Sequence, residues 1–85
     1  MAFFRKSELS PVERLEGALE DKHGARQKLA DRLIAAEAAL VEKRGAAEQA
    51  AMAGAADAEL DRSEAAVRAV EDRVATLRAA LAQLD

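Results

Sequence analysis

Residues 60–84 read LDRSEAAVRAVEDRVATLRAALAQL. Branched aliphatic side chains recur in this stretch at alternating intervals of three and four residues, the heptad spacing that places them on one stripe of a helix. The a positions are Leu60, Val67, Val74 and Leu81, and the d positions are Ser63, Val70, Leu77 and Leu84. Such a stripe must be covered by another helix, so the stretch predicts a helix that packs in coiled-coil fashion.

The composition agrees with a long-helix protein. Of the 85 residues 23 are Ala, 34% are charged, and Trp and Tyr are missing altogether. This balance is typical of coiled coils and long helices, and a chain this short buries only a small fraction of its surface in a core of its own. We therefore expect burial to come from helix against helix, within one chain or between chains.

Charge and cysteine content exclude several classes of protein. The net charge is −3 and no Cys is present, which disfavours duplex nucleic acid as a partner and rules out disulfide or thiolate chemistry. No apolar run approaches the ~20 residues of a membrane span, and the first residues lack the apolar core of a signal peptide. We expect a cytoplasmic protein. The excess of Arg over Lys, beside so much Ala, suggests a bacterial origin.

The start of the first helix is marked by Ser10-Pro11-Val12-Glu13. The Ser10 hydroxyl can accept from the amide of Glu13, while the Glu13 side chain can reach back to the amide of Ser10, which makes a capping box. Pro11 suits the first helical position because its φ is already set. We expect residues 1–10 to form a flexible segment that ends in this cap, and a helix from 11 to about 52.

The first helix has heptads of its own, with Val12 at an a position and Leu15 at a d position. Basic side chains interrupt the frame at Lys22, Arg26 and Lys43. Further apolar residues of the frame are Leu19, Leu29, Leu33, Ala36, Leu40, Ala47 and Ala50.

Residues 53–56 decide how the two helices are joined. The heptads before and after them are out of register by one residue, Gly54 suits a left-handed helix ending, and Asp57 suits an N-cap. We predict an antiparallel helical hairpin of coiled-coil type over 11–85, with helices at about 11–52 and 57–84. One continuous coiled-coil helix is the alternative, and a turn at Gly45 is a weaker third reading.

In the hairpin, Leu77 would face Leu33, Val70 would face Leu40, and Val67 would face Lys43. We call the paired a and d residues of the two helices the seam. Its predicted intrachain members are Leu29, Leu33, Leu40, Leu60, Val67, Val70, Val74, Leu77 and Leu81.

The second helix would end opposite about residue 25, which leaves part of the first helix uncovered. We call residues 12–26 the overhang. Its predicted self-association or partner surface consists of Val12, Leu15, Leu19, Lys22 and Arg26. The expected cover is a second copy, which would give a dimeric four-helix arrangement with two-fold symmetry; a continuation of the second helix beyond Asp85 would serve as well.

No catalytic, cofactor-binding or metal-binding set is predicted. His23 is the sole histidine, the four Gly are scattered, and no Ser has the context of a nucleophile. The polar stretch 20–26 could bind an anion, but we expect it to be solvated or to fix helix register.

These observations favour a structural oligomerisation or scaffolding module without catalytic activity or small-molecule substrate. One alternative is an adaptor that captures a helix of another protein through residues 12–26. Another is a peripheral membrane or nucleic-acid accessory docked by Phe3, Phe4, Arg5 and Lys6.

Overall fold

The computed structural model describes residues 10–84, and this part of the chain is all-helical. Helix α1 spans Pro11–Met52 and helix α2 spans Asp57–Leu84, with no strand between Ser10 and Leu84. The molecule is elongated, 78 × 22 × 14 Å. The predictions for residues 1–9, including docking through residues 3–6, lie outside the described residues.

The beginning of α1 has the geometry of a capped helix. Ser10 has an extended backbone, φ −62° and ψ 158°, and its hydroxyl oxygen accepts a hydrogen bond from the Glu13 amide at 3.1 Å. The Ser10 carbonyl accepts from the Arg14 amide at 3.0 Å, which is the first bond of the helix. Pro11 is in the first turn of the helix, where a backbone N–H has no hydrogen-bond partner within the helix, so the N–H that proline lacks is not missed.

Helix α1 ends in a Schellman motif centred on Gly54. The Ala55 amide donates to the Ala50 carbonyl at 2.9 Å, and the Gly54 amide donates to the Ala51 carbonyl at 3.1 Å. This pair of bonds requires a left-handed residue at Gly54, whose φ is +77°. The continuous-helix alternative and the turn at Gly45 are therefore both wrong.

The predicted N-cap of α2 is displaced by one residue. Ala56 occupies the cap position, because its carbonyl accepts from the amides of Glu59 and Leu60 at 2.9 and 3.0 Å. Asp57 is instead the first residue of the helix. The Schellman motif is complete at Ala55, so α2 can begin one residue earlier than the sequence predicts. The Asp57 carboxylate still lies in the first turn, where the helix dipole favours an acid.

The two helices run in opposite directions and contact each other. Arg44 Nη2 lies 3.0 Å from Glu71 Oε2, and Arg78 Nη2 lies 2.9 Å from Glu37 Oε2. A step from residue 37 to residue 44 along α1 thus corresponds to a step from 78 back to 71 along α2. The chain reverses at residues 53–56, where α1 ends and α2 begins.

One substitution at two glycines tests the turn. A Cβ at Gly45 would meet nothing within 4 Å, whereas a Cβ at Gly54 would be held at a φ of +77°. Gly45→Ala should raise the free energy of unfolding by about 0.5–1 kcal/mol through helix propensity. Gly54→Ala should lower it by about 1–2 kcal/mol through the left-handed backbone. Urea unfolding followed by circular dichroism measures both, and equal shifts of the same sign would contradict the turn.

Candidate functional site

The candidate site is the stripe of α1 that faces α2 and continues past its end. Along the shared length, the predicted seam residues are buried or half-buried on both helices. Val74 and Leu77 are the most enclosed, each with 4% of its surface exposed. Their predicted neighbours on α1, Ala36 and Leu33, are half-buried. This placement is what heptads on two packed helices would produce.

Small residues on α1 line much of this contact. Ala47 and Ala50, at a and d positions, are half-buried, as is Ser63 on α2. Lys43 is exposed although it holds a d position, and it borders a shallow groove of about 330 Å³ together with Ala46, Ser63 and Ala66. A lysine can pack its aliphatic stem against a helix while its ammonium stays in water, so Lys43 is compatible with a predicted position opposite Val67.

The two interhelical ion pairs follow one rule. Glu37 lies four residues after Leu33, and its partner Arg78 directly follows Leu77. Arg44 likewise lies four residues after Leu40, and its partner Glu71 directly follows Val70. Helical side chains lean toward the N-terminus of their own helix, so residues at these offsets on antiparallel helices lean toward each other. Both pairs fit the predicted register, in which Leu33 faces Leu77 and Leu40 faces Val70.

The packed stripe stops near residue 29 of α1. Leu29 and Ala30 are half-buried, whereas every residue from 18 to 28 is exposed. In the overhang, Val12, Leu15 and Leu19 expose 63%, 61% and 47% of their surface. Lys22 and Arg26 on the same face are exposed too. The α1 stripe therefore continues beyond α2 without cover from the described residues.

A second surface lies beside the seam, on the side away from the ion pairs. It is a groove of about 460 Å³ floored by alanines of both helices. Two arginines, Arg32 and Arg73, line it, and no acidic residue does. Most of its alanines lie outside the a and d positions, so the heptad pattern does not predict this groove.

Within residues 10–84, no group of three His, Asp or Glu side chains lies close enough to hold a metal ion. His23 borders a shallow depression with Arg26, Gln27 and Ala30 near the end of α2. Neither α1 nor α2 has a stretch apolar enough to cross a lipid bilayer.

Comparisons with models of known protein families, with curated proteins and with solved structures find no match for this chain.

The heptad pattern does not predict the two ion pairs, nor the two exposed aliphatic residues on the outer surface of α1, Ile34 and Val41. The ion pairs could have been found from their offsets relative to the a and d positions. Ile34 and Val41 are one heptad apart at b positions, where the heptad frame gives no reason for an aliphatic side chain.

Two truncations test the packing of the seam. Leu77→Ala removes a side chain that is 4% exposed, and Ile34→Ala removes one that is 66% exposed. We expect Leu77→Ala to lower the free energy of unfolding by about 2–4 kcal/mol and Ile34→Ala to change it by less than about 0.5 kcal/mol. Urea titrations give both values. Equal losses would mean that the seam does not carry the stability of the hairpin.

Proposed function

We propose that this chain is a structural oligomerisation or scaffolding module that acts in the cytoplasm and has no catalytic activity. In this proposal α1 and α2 pack as an antiparallel coiled coil, and two copies associate through the overhang into an assembly of four helices. The observation that carries the proposal is the apolar stripe of α1, which continues past the end of α2 with Val12, Leu15 and Leu19 exposed.

The cost of leaving this stripe in water supports the proposal. Covering a branched aliphatic side chain fully contributes about 1.5–3 kcal/mol. Val12, Leu15 and Leu19 expose 63%, 61% and 47% of their surface, so each would gain about half to two thirds of that amount. A second copy buries the same three residues of its own, which doubles the free energy gained from burial.

Part of this gain offsets the loss of translational and rotational freedom on association. The overhang is also short, so the interface is smaller than those of stable complexes. We therefore expect a weak dimer that forms with increasing concentration rather than a permanent one.

The adaptor function has one observation in its favour. Lys22 lies on the same face of α1 as Leu15 and Leu19 and is exposed. An amphipathic helix of another protein with an acidic residue at the matching position would cover the leucines and pair with Lys22. In that case the isolated chain would stay monomeric and gain mass only with its partner.

Two charged substitutions test the self-association. Leu15→Asp places a carboxylate within the overhang stripe, and Val41→Asp places one on an outer surface that is 71% exposed. Light scattering should give the wild type a mass approaching twice 9.1 kDa as concentration rises, and Val41→Asp should behave in the same way. Leu15→Asp should remain monomeric, because the interface would have to bury an unpaired charge.

The two variants carry the same added charge, and Leu15→Asp loses only a few tenths of a kcal/mol more helix propensity than Val41→Asp. Circular dichroism should therefore show that both variants remain helical. A wild type that stays monomeric at every concentration would contradict the proposal. A Leu15→Asp variant that dimerises like Val41→Asp would also contradict it.

A further inference from the structure

We infer that the second copy binds end to end, with its overhang antiparallel to the first overhang and its Leu19 opposite Leu15. The inference rests on the proposed self-association and specifies its geometry. In this dimer, α1 of the second copy lies in line with α2 and packs on the part of α1 that α2 does not reach. The two hairpins then form one rod, two helices wide along its whole length.

The free length of α1 fits this arrangement. α2 ends at Leu84, which in the predicted register lies opposite residue 26, and α1 begins at Pro11. With Leu15 facing Leu19 of the second copy, Pro11 of that copy lies opposite residue 23. The incoming helix therefore starts where α2 stops, and the interface continues the one that already exists within the hairpin.

The register follows from the packing rule within the hairpin, where a positions face d positions. The overhang offers the a residues Val12 and Leu19 and the d residues Leu15 and Lys22. Pairing Leu15 with Leu19 of the second copy places Val12 opposite its Lys22. This repeats the predicted intrachain layer of Val67 and Lys43, in which the lysine stem packs and the ammonium stays in water.

Neighbouring registers of the same kind fail. A shift of one heptad toward greater overlap would place Pro11 of the second copy opposite residue 30, which is half-buried and, in the predicted register, lies alongside α2. A shift the other way would place Leu19 opposite residue 8, before the start of the helix at Pro11. One register therefore covers both leucines without displacing α2.

Polar side chains support the same register. In each interhelical ion pair, the α1 residue lies four positions after an a residue, and its α2 partner directly follows a d residue. In the overhang, His23 lies four positions after Leu19, and Glu16 directly follows Leu15. The end-to-end dimer thus brings His23 beside Glu16 of the second copy, twice by symmetry, so that an imidazole N–H can donate to a carboxylate.

The two-fold axis of this dimer passes beside Ala18. Ala18 lies directly before the a residue Leu19, on the opposite side of the stripe from Glu16 and His23. Within the hairpin, Ala46 and Ala66 likewise lie directly before a residues, and both line one groove between the helices. Two Ala18 methyl groups can face each other across the axis, and no bulky side chain keeps the helices apart.

Side-by-side packing through the alanine groove is disfavoured. Arg32 and Arg73 line that groove without an acidic neighbour among its lining residues. A two-fold dimer places each surface against its own copy, so the arginines of one hairpin would meet those of the other. The overhang offers complementary groups, whereas the groove offers like charges.

Single cysteines test the geometry, because the chain has no Cys of its own. Ala18→Cys should form a disulfide-linked dimer under mild oxidation, since the two β-carbons face each other across the axis. Ala38→Cys is the matched control, an exposed alanine on the outer surface of the same helix. We expect Ala18→Cys to cross-link at least about tenfold faster, because the paired thiols have a raised effective concentration.

Small-angle scattering of the dimer gives a second measure. Two rods of 78 Å that share an overlap of 13 residues, about 20 Å at 1.5 Å per residue, should have a maximum dimension of about 135 Å. Hairpins packed side by side would give about 80 Å.

Charge changes at the predicted polar pair test the register itself. His23→Lys would replace two histidine–glutamate contacts with two lysine–glutamate pairs and should tighten the dimer about threefold. His23→Glu should weaken it by like-charge repulsion, and adding Glu16→Lys to His23→Glu should restore it. Sedimentation equilibrium measures each dissociation constant.

The outcomes separate the geometry from the function. A dimer of about 80 Å, or equal cross-linking of Ala18→Cys and Ala38→Cys, would overturn the end-to-end arrangement and leave self-association in place. Failure of Glu16→Lys to restore the His23→Glu dimer would overturn the register. A wild type that is monomeric at all concentrations would overturn the proposed function and this inference with it.

Discussion

The structure depends on where the chain reverses. The Schellman motif at Gly54 ends α1 after 42 residues, and the described part of α2 spans 28 residues. Because the C-terminal end of α1 and the N-terminal end of α2 both lie at the turn, the difference in length appears at the N-terminal end of α1. The heptads of α1 continue into that end as far as Val12. The turn at this left-handed glycine therefore fixes how the two helices are aligned, and the described part of α2 does not reach Val12, Leu15 and Leu19.

The packed part of the hairpin has few strong contacts. Only Val74 and Leu77 are buried among the described residues, and much of the facing surface on α1 is alanine. Ion pairs as exposed as Arg44–Glu71 and Glu37–Arg78 contribute about 0.2–1 kcal/mol each at most. Two helices alone offer each side chain only one covering surface, so association would add burial that the hairpin lacks. The limited burial and the uncovered apolar stripe are thus consequences of the same two-helix architecture.

Much of the fold could be predicted from sequence because its signals are local. Ser10 and Pro11 mark one helix start, Gly54 marks the turn, and the a and d residues identify the faces that pack. The cap of α2 could not be placed to the residue, since Ala56 has no capping side chain and its position depends on the hydrogen bonds of the preceding turn. The ion pairs and the arginine-lined groove depend on how long side chains lean across the helix interface, which a pattern of apolar residues does not record. The overhang can be predicted from the lengths of the two helices alone. What covers the overhang has to be inferred from register and charge.

Hydrogen–deuterium exchange at increasing protein concentration distinguishes association through the overhang from association through any other surface, because it reports which residues a second copy covers. The amides of residues 12–26 should exchange more slowly in concentrated than in dilute solution, since dimerisation suppresses fraying of the overhang. The amides near the turn, in residues 45–65, should exchange at the same rate throughout and serve as an internal control. If the exchange of residues 12–26 does not depend on concentration, or if protection grows in the alanine groove instead, the overhang is not the surface through which the chain associates.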